Sequence, residues 1–173
     1  YDTKYRYGFT GTLDGTQTHK WVLEGLFGPS YKIVNTKELQ EKGYLAQLNI
    51  KVLLLRHEPQ RFDTYEDEIQ YLIGHDKRNK FIRNLSWDLK GNTLILYSRV
   101  AAHGEVLYNL INNDERKVFF VHGGVDVEER EEVRRITEEE SNAIIVASFG
   151  TFSTGINIKN LHNIIFASPS KSR

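Results

Sequence analysis

From residue 51 onward the chain alternates between short runs that are almost entirely apolar and longer segments that are apolar on one side only. The runs fall at 51–55 (Lys-Val-Leu-Leu-Leu), 93–97 (Thr-Leu-Ile-Leu-Tyr), 117–121 (Lys-Val-Phe-Phe-Val), 143–147 (Ala-Ile-Ile-Val-Ala) and 163–167 (Asn-Ile-Ile-Phe-Ala). A strand with no polar face is covered on both sides, so these runs predict strands of a sheet sandwiched between helices. The intervening segments carry helical spacing: 65–89, interrupted near Gly74; 101–112, with Val106, Leu107, Leu110 and Ile111 on one side; and 127–140, with Val133 and Ile136. Strand and helix in regular alternation predict an α/β fold built on a parallel sheet with right-handed crossovers.

The first 48 residues do not follow this pattern. Residues 7–13 have the composition of a strand that runs into an Asp14-Gly15 turn, but no neighbouring strand is evident nearby. Two short helices are expected at 21–26 and 36–42, separated by Pro29-Ser30, with Gly43 placed as the C′ residue of the second. The expected organisation is a stub of a preceding domain at 1–14, a connector at 15–48 and the α/β domain at 49–173.

Composition narrows the chemistry. The 23 basic and 23 acidic residues balance, so any electrostatic argument must be local. Residues 126–140 are strongly acidic, whereas 143–173 contain no Asp or Glu but carry Lys159, Lys171 and Arg173. An acid-free stretch suits a phosphate partner, and it also suits buried strand, where charge of either sign is scarce. The absence of cysteine excludes disulfides and thiolate metal sites, and the six histidines show no ligand spacing, so no metal site is expected. No run approaches the length of a membrane span, and the N-terminus has no signal-peptide character, which predicts a cytoplasmic protein.

Candidate chemistry collects at the carboxyl ends of the expected strands, where parallel α/β sheets present functional loops. Ser98 and Arg99 follow the run at 93–97; Arg99 equally fits a solvated helix start. Gly123 and Gly124 follow the run at 117–121, with Arg130 one turn into the next helix, where pairing with neighbouring Glu is the competing reading. The richest segment is Ser148-Phe-Gly-Thr-Phe-Ser-Thr-Gly-Ile-Asn157, whose hydroxyls and glycines can bond phosphate oxygens from side chain and backbone. Gly150 and Gly155 have P-loop spacing, but Ile156-Asn157 stand where Lys and Ser/Thr are required, so a P-loop is rejected. Asp114-Glu115 precedes its strand instead of following it, and Asp67-Glu68 lies in a helix, so neither is a Mg²⁺ pair. Trp87 and Tyr97 fit a core as well as they fit base stacking.

Taken in order, Arg6-Tyr-Gly-Phe-Thr-Gly-Thr-Leu13, Leu94-Ile-Leu-Tyr-Ser-Arg99 and Ala147-Ser-Phe-Gly-Thr-Phe-Ser-Thr-Gly-Ile-Asn-Ile158 resemble motifs III, IV and V of the superfamily 2 helicases, and those of bacteriophages in particular. The resemblance implies a RecA-like second motor domain, ending before motif VI, in an ATP-dependent DNA helicase. It implies that Thr10, Gly11 and Thr12 couple hydrolysis to strand movement. It also implies that Ser98, Arg99, Gly123, Gly124, Arg130, Ser148, Thr151 and Thr154 meet nucleic acid, and that Gly155 and Asn157 face nucleotide. Val127 stands where a Gln is usual and Asn157 where an Asp is usual. ATP and Mg²⁺ would be bound mainly by a first motor domain outside this sequence, so the chain alone would be inactive. The implied partners are branched or forked DNA and RNA:DNA hybrids, and the implied work is branch migration in recombination and replication-fork repair. The alternatives are a non-motor RecA- or Rossmann-like nucleotide-binding module and a purely structural interaction domain.

Overall fold

The computed structural model describes residues 3–10, 15–123, 127–152 and 159–169, and the chain divides into two compact units, Tyr1–Leu54 and Leu55–Arg173. In the first unit, helix α1 spans Gln17–Phe27 and stops at Gly28, whose φ of 84° carries the chain out of the helix. Helix α2, Thr36–Glu41, starts where the Asn35 side chain accepts the Lys37 amide. Its end is a Schellman motif: Gly43, at φ 75°, donates to the Gln40 carbonyl and Tyr44 to the Leu39 carbonyl. Gly43 therefore holds the position its sequence context predicts. None of the described residues of this unit is buried, so its order rests on local helix closure and not on a core.

The second unit carries the sheet. Helix α3, Tyr65–Gly74, is capped by the Thr64 hydroxyl accepting from the Asp67 amide. The expected break follows, and His75 caps helix α4, Asp76–Asp88, by accepting the Arg78 amide at Nδ1. Strands β1 (Thr93–Tyr97), β2 (Val118–Val121), β3 (Ile144–Ser148) and β4 (Asn163–Phe166) form one parallel sheet in the order β2-β3-β1-β4. All of β1 is buried, and in β3 only Ser148 is not. Their side chains alternate between two cores. Ile95, Tyr97, Ile144 and Val146 pack with Ile82 of α4 and with Leu107 and Ile111 of helix α5 (Glu105–Ile111). Leu94, Leu96, Ile145 and Ala147 face the other way, toward Val133 of helix α6 (Val127–Glu139) and Phe149 of the short helix α7 (Phe149–Phe152). The expected α/β architecture, a parallel sheet with helices on both faces, is the observed one.

Two local expectations fail. Residues 51–55 form no strand, and Val52 and Leu54 are 80% and 88% exposed. An apolar run has the composition of a central strand, but composition cannot supply the pairing edge that a strand needs. The helix expected from residue 101 begins instead as a π-helical turn, Val100–Gly104, in which the Gly104 amide donates to the Arg99 carbonyl. Gly104 is required there because a Cβ would lie 2.4 Å from the buried Tyr97 ring.

Candidate functional site

Because the strands are parallel and in register, with Leu96 opposite both Ala147 and Phe166 and Val121 opposite Ala147, their carboxyl ends form a single edge. Ser148 ends β3, and Ser98, Arg99, Gly123 and Thr151 lie within three residues past the strand ends, so all five fall along this edge. Thr10 lies in the other unit and is exposed. Gly11, Thr12, Gly124, Thr154, Gly155 and Asn157 lie outside the described residues, as does the Arg130 side chain; its backbone is in α6.

Each described candidate has a defined environment. The hydroxyls of Ser148 and Thr151 bond each other at 2.6 Å, and Thr151 is buried whereas Ser148 is half-buried. One hydroxyl proton is spent inside the pair, so the pair keeps one to donate outward. The Arg99 guanidinium is neutralised by Glu66 of α3, with contacts of 2.7 and 2.6 Å to the two carboxylate oxygens. Gly123 is exposed, and a Cβ there would meet nothing.

Behind Ser98 runs a buried chain of hydrogen bonds that no sequence motif marks. The Ser98 amide donates to the Ser168 hydroxyl (3.1 Å), Ser168 lies 2.9 Å from His103 Nδ1, and His103 Nε2 lies 3.2 Å from Asn79 Oδ1. The Asn79 amide group donates to the Ile73 carbonyl, which leaves Oδ1 as the acceptor. His103 therefore carries its proton on Nε2, and Ser168 donates to Nδ1. Burial, and then the nearby Arg78 charge, lower the His103 pKa to about 4, which keeps the ring neutral. Tyr97, the last residue of β1, stacks on Phe120 and has its pKa raised to about 12, first by burial and then by Glu105. It belongs to the core and not to a stacking surface. Trp87 is partly exposed, with the Arg83 guanidinium 4.8 Å from its ring centre.

No family model matches the chain. A curated relative does: the ATP-dependent DNA helicase UvsW of Enterobacteria phage T4 is 36% identical over 98% of this chain. The chain is related to a DNA helicase. The crystal structure of T4 UvsW superposes on it with a TM-score of 0.56 and 39% identity, over 64% of this chain and 23% of that one. The chain spans 35% of the length of the curated UvsW sequence. The resemblance drawn from the motifs thus leads to a helicase in both sequence and structure, and the sheet just described matches the UvsW fold. No helix among the described residues is long and apolar enough to cross a membrane.

The residues that the sequence did not single out are Arg78, Asn79, His103 and Ser168. Their partners lie far apart in the chain, with Ser168 65 positions from His103, and each looks unremarkable in its own segment.

Proposed function

We infer that this chain is the second motor domain of an ATP-dependent DNA helicase. In this reading, residues 1–14 end the first motor domain, 15–48 connect the two and 49–173 form the second motor domain up to motif VI. The observation that carries the reading is the convergence of Ser98, Arg99, Ser148 and Thr151, drawn from motifs IV and V, on one carboxyl edge of a parallel sheet. Thr10 to Thr12 would transmit hydrolysis to strand movement, and Gly155 and Asn157 would face nucleotide across the cleft between motor domains.

Among the described residues no three His, Cys, Asp or Glu side chains stand together as a metal site. In this reading the chain's own part is binding and positioning, with ATP and Mg²⁺ held mainly by a first motor domain. The isolated chain would turn over no ATP. The intact protein would work on branched or forked DNA and RNA:DNA hybrids in the host-cell cytoplasm, driving branch migration during recombination and replication-fork repair.

In the phosphate contact, Thr151 donates to Ser148, and the Ser148 hydroxyl donates outward to a backbone oxygen. Replacing both with Ala in the intact protein removes a hydrogen bond to a charged acceptor, on the order of 1.5 to 3 kcal/mol. DNA titrations at several salt concentrations should show weaker binding on unrelated sequences alike, with the salt slope unchanged because neutral hydroxyls release no counterions. Unchanged affinity at an unchanged thermal midpoint removes the phosphate-binding role.

A further inference from the structure

Ser98 has two hydrogens to give, one on its amide and one on its hydroxyl, and both are directed into the protein. The amide donates to the Ser168 hydroxyl at 3.1 Å, and the hydroxyl donates to the Pro169 carbonyl at 3.4 Å. A phosphate oxygen only accepts, so a serine bonded in this way has no donor left for one. The bonding of Ser98 therefore departs from the nucleic-acid contact that its motif implies.

Two sets of bonds hold the turn that Ser98 begins. The first is the buried chain from Ser168 through His103 to Asn79, which joins the exits of β1 and β4 to the π-helical turn and to α4. Asn79, His103 and Ser168 are 3%, 0% and 4% exposed. The hydrogens run one way, from the Ser98 amide through Ser168 and His103 to Asn79, whose own amide group ends on the Ile73 carbonyl. A buried polar network satisfied throughout rigidifies its surroundings and selects one arrangement. The second set lies across the π-helical turn, where the Arg99 carbonyl accepts the amides of both His103 and Gly104, at 3.1 and 2.9 Å. Single π-turns are rare and frequent at functional sites. His103 belongs to both sets, since its backbone amide holds Arg99 and its ring holds Ser168. The Arg99 backbone is fixed in this way while its side chain leaves the turn to meet Glu66.

We propose that Ser98 is a positioning residue and not a nucleic-acid contact: with Ser168, His103 and Asn79 it fixes the backbone from which Arg99 reaches a phosphate. Arg99 is then the group of this turn that exchanges Glu66 for the nucleic acid. The assignment rests on the nucleic-acid reading above and gives a part in it to three buried residues outside the helicase motifs.

The test uses the intact protein and a labelled forked duplex, titrated at several salt concentrations. Ser98→Ala should bind as wild type does, whereas loss of a bond to a charged oxygen would weaken binding about tenfold. Arg99→Gln should flatten the plot of log K against log salt by about one, the value for a single phosphate contact. Ser168→Ala releases the Ser98 amide and the His103 ring, and should reproduce most of that flattening although Ser168 carries no charge. Ser168→Thr keeps the hydroxyl and should restore the slope. In an Arg99→Gln background, Ser168→Ala should change neither affinity nor slope further, because the contact it positions is already gone. General loosening of the fold would add to the loss instead. Weaker binding by Ser98→Ala at an unchanged slope overturns the proposal, since its hydroxyl is then the contact. A wild-type slope in Ser168→Ala or in Arg99→Gln overturns it as well. Ser98 and Arg99 are exposed, so those two variants decide the matter even if Ser168→Ala does not fold. If Arg99→Gln binds normally while the Ser148/Thr151 double variant is impaired, this assignment alone is lost and the functional reading stands. An intact protein that binds no nucleic acid removes both.

Discussion

The two ends of the sheet treat a half-buried arginine in opposite ways. At the amino end Arg116 donates to five carbonyls, those of Asn142, Ser86, Trp87, Leu89 and Gly91, at 2.7 to 3.4 Å. Beside it, the Asn92 amide group donates to Thr137, Glu140 and Asn160, and its oxygen accepts the Ala143 amide. At the carboxyl end Arg78 holds one carbonyl and leaves a nitrogen idle. Among the described residues neither arginine pairs with a carboxylate, and burial lowers the pKa of both. A saturated arginine ties loops and helix ends together; one that holds a single carbonyl ties less. In the proposed function the amino end of the sheet maintains the fold and the carboxyl end meets nucleic acid.

The largest expected effect strikes the amino end. Arg116→Ala leaves several carbonyls at the end of α4 and in the following loop without their donor, and should cost on the order of 3 to 5 kcal/mol. Arg78→Ala removes an unpaired charge and should cost under about 1 kcal/mol. Thermal or urea unfolding of both variants breaks the comparison if the two losses are equal.

Next in size is a pH effect at the carboxyl end. The folded-state pKa of His103, about 4, lies below its ordinary value of 6.5. Between these values the unfolded chain takes up a proton that the folded chain refuses. Stability is therefore full above about pH 6.5 and declines as pH falls toward 4, by roughly 3 kcal/mol from this group. The groups around the ring, Arg78, Asn79 and Ser168, offer no carboxylate to stabilise the imidazolium. Unfolding measured from pH 7.5 to 4 in wild type and His103→Gln should show the decline shrinking in the variant. Equal declines would mean that the ring protonates freely.

The smallest effect sharpens the contrast. Glu66 masks Arg99 in an exposed pair, and such pairs contribute at most about 1 kcal/mol. Glu66→Gln should leave stability nearly unchanged while raising DNA affinity a few-fold and steepening its salt dependence, as a cation is released at the working end. An unchanged salt slope would place Arg99 outside the DNA path.

Much of this architecture was legible in the residues. The runs at 93–97 and 143–147 are apolar at nearly every position because helices cover both faces, and the break at Gly74 and the cap at Gly43 follow from local backbone preference. The run at 51–55 misled because pairing is a property of the neighbour and not of the strand. The edge where the candidates gather could be anticipated from strand polarity alone. The state of each side chain could not: Arg99 meets Glu66 from 33 positions away, and the Arg78 contact to Ala167 spans 89. Local patterns carry no trace of such partners.

Hydrogen exchange of the intact protein with and without single-stranded DNA tests the division of labour between the two ends most directly. DNA should slow exchange at the carboxyl edge, around Ser98, Arg99, Ser148 to Thr151 and Ser168, and leave the amino end around Gly91, Asn92, Arg116 and Asn142 unchanged. Protection confined to the amino end, or none at either, contradicts the account.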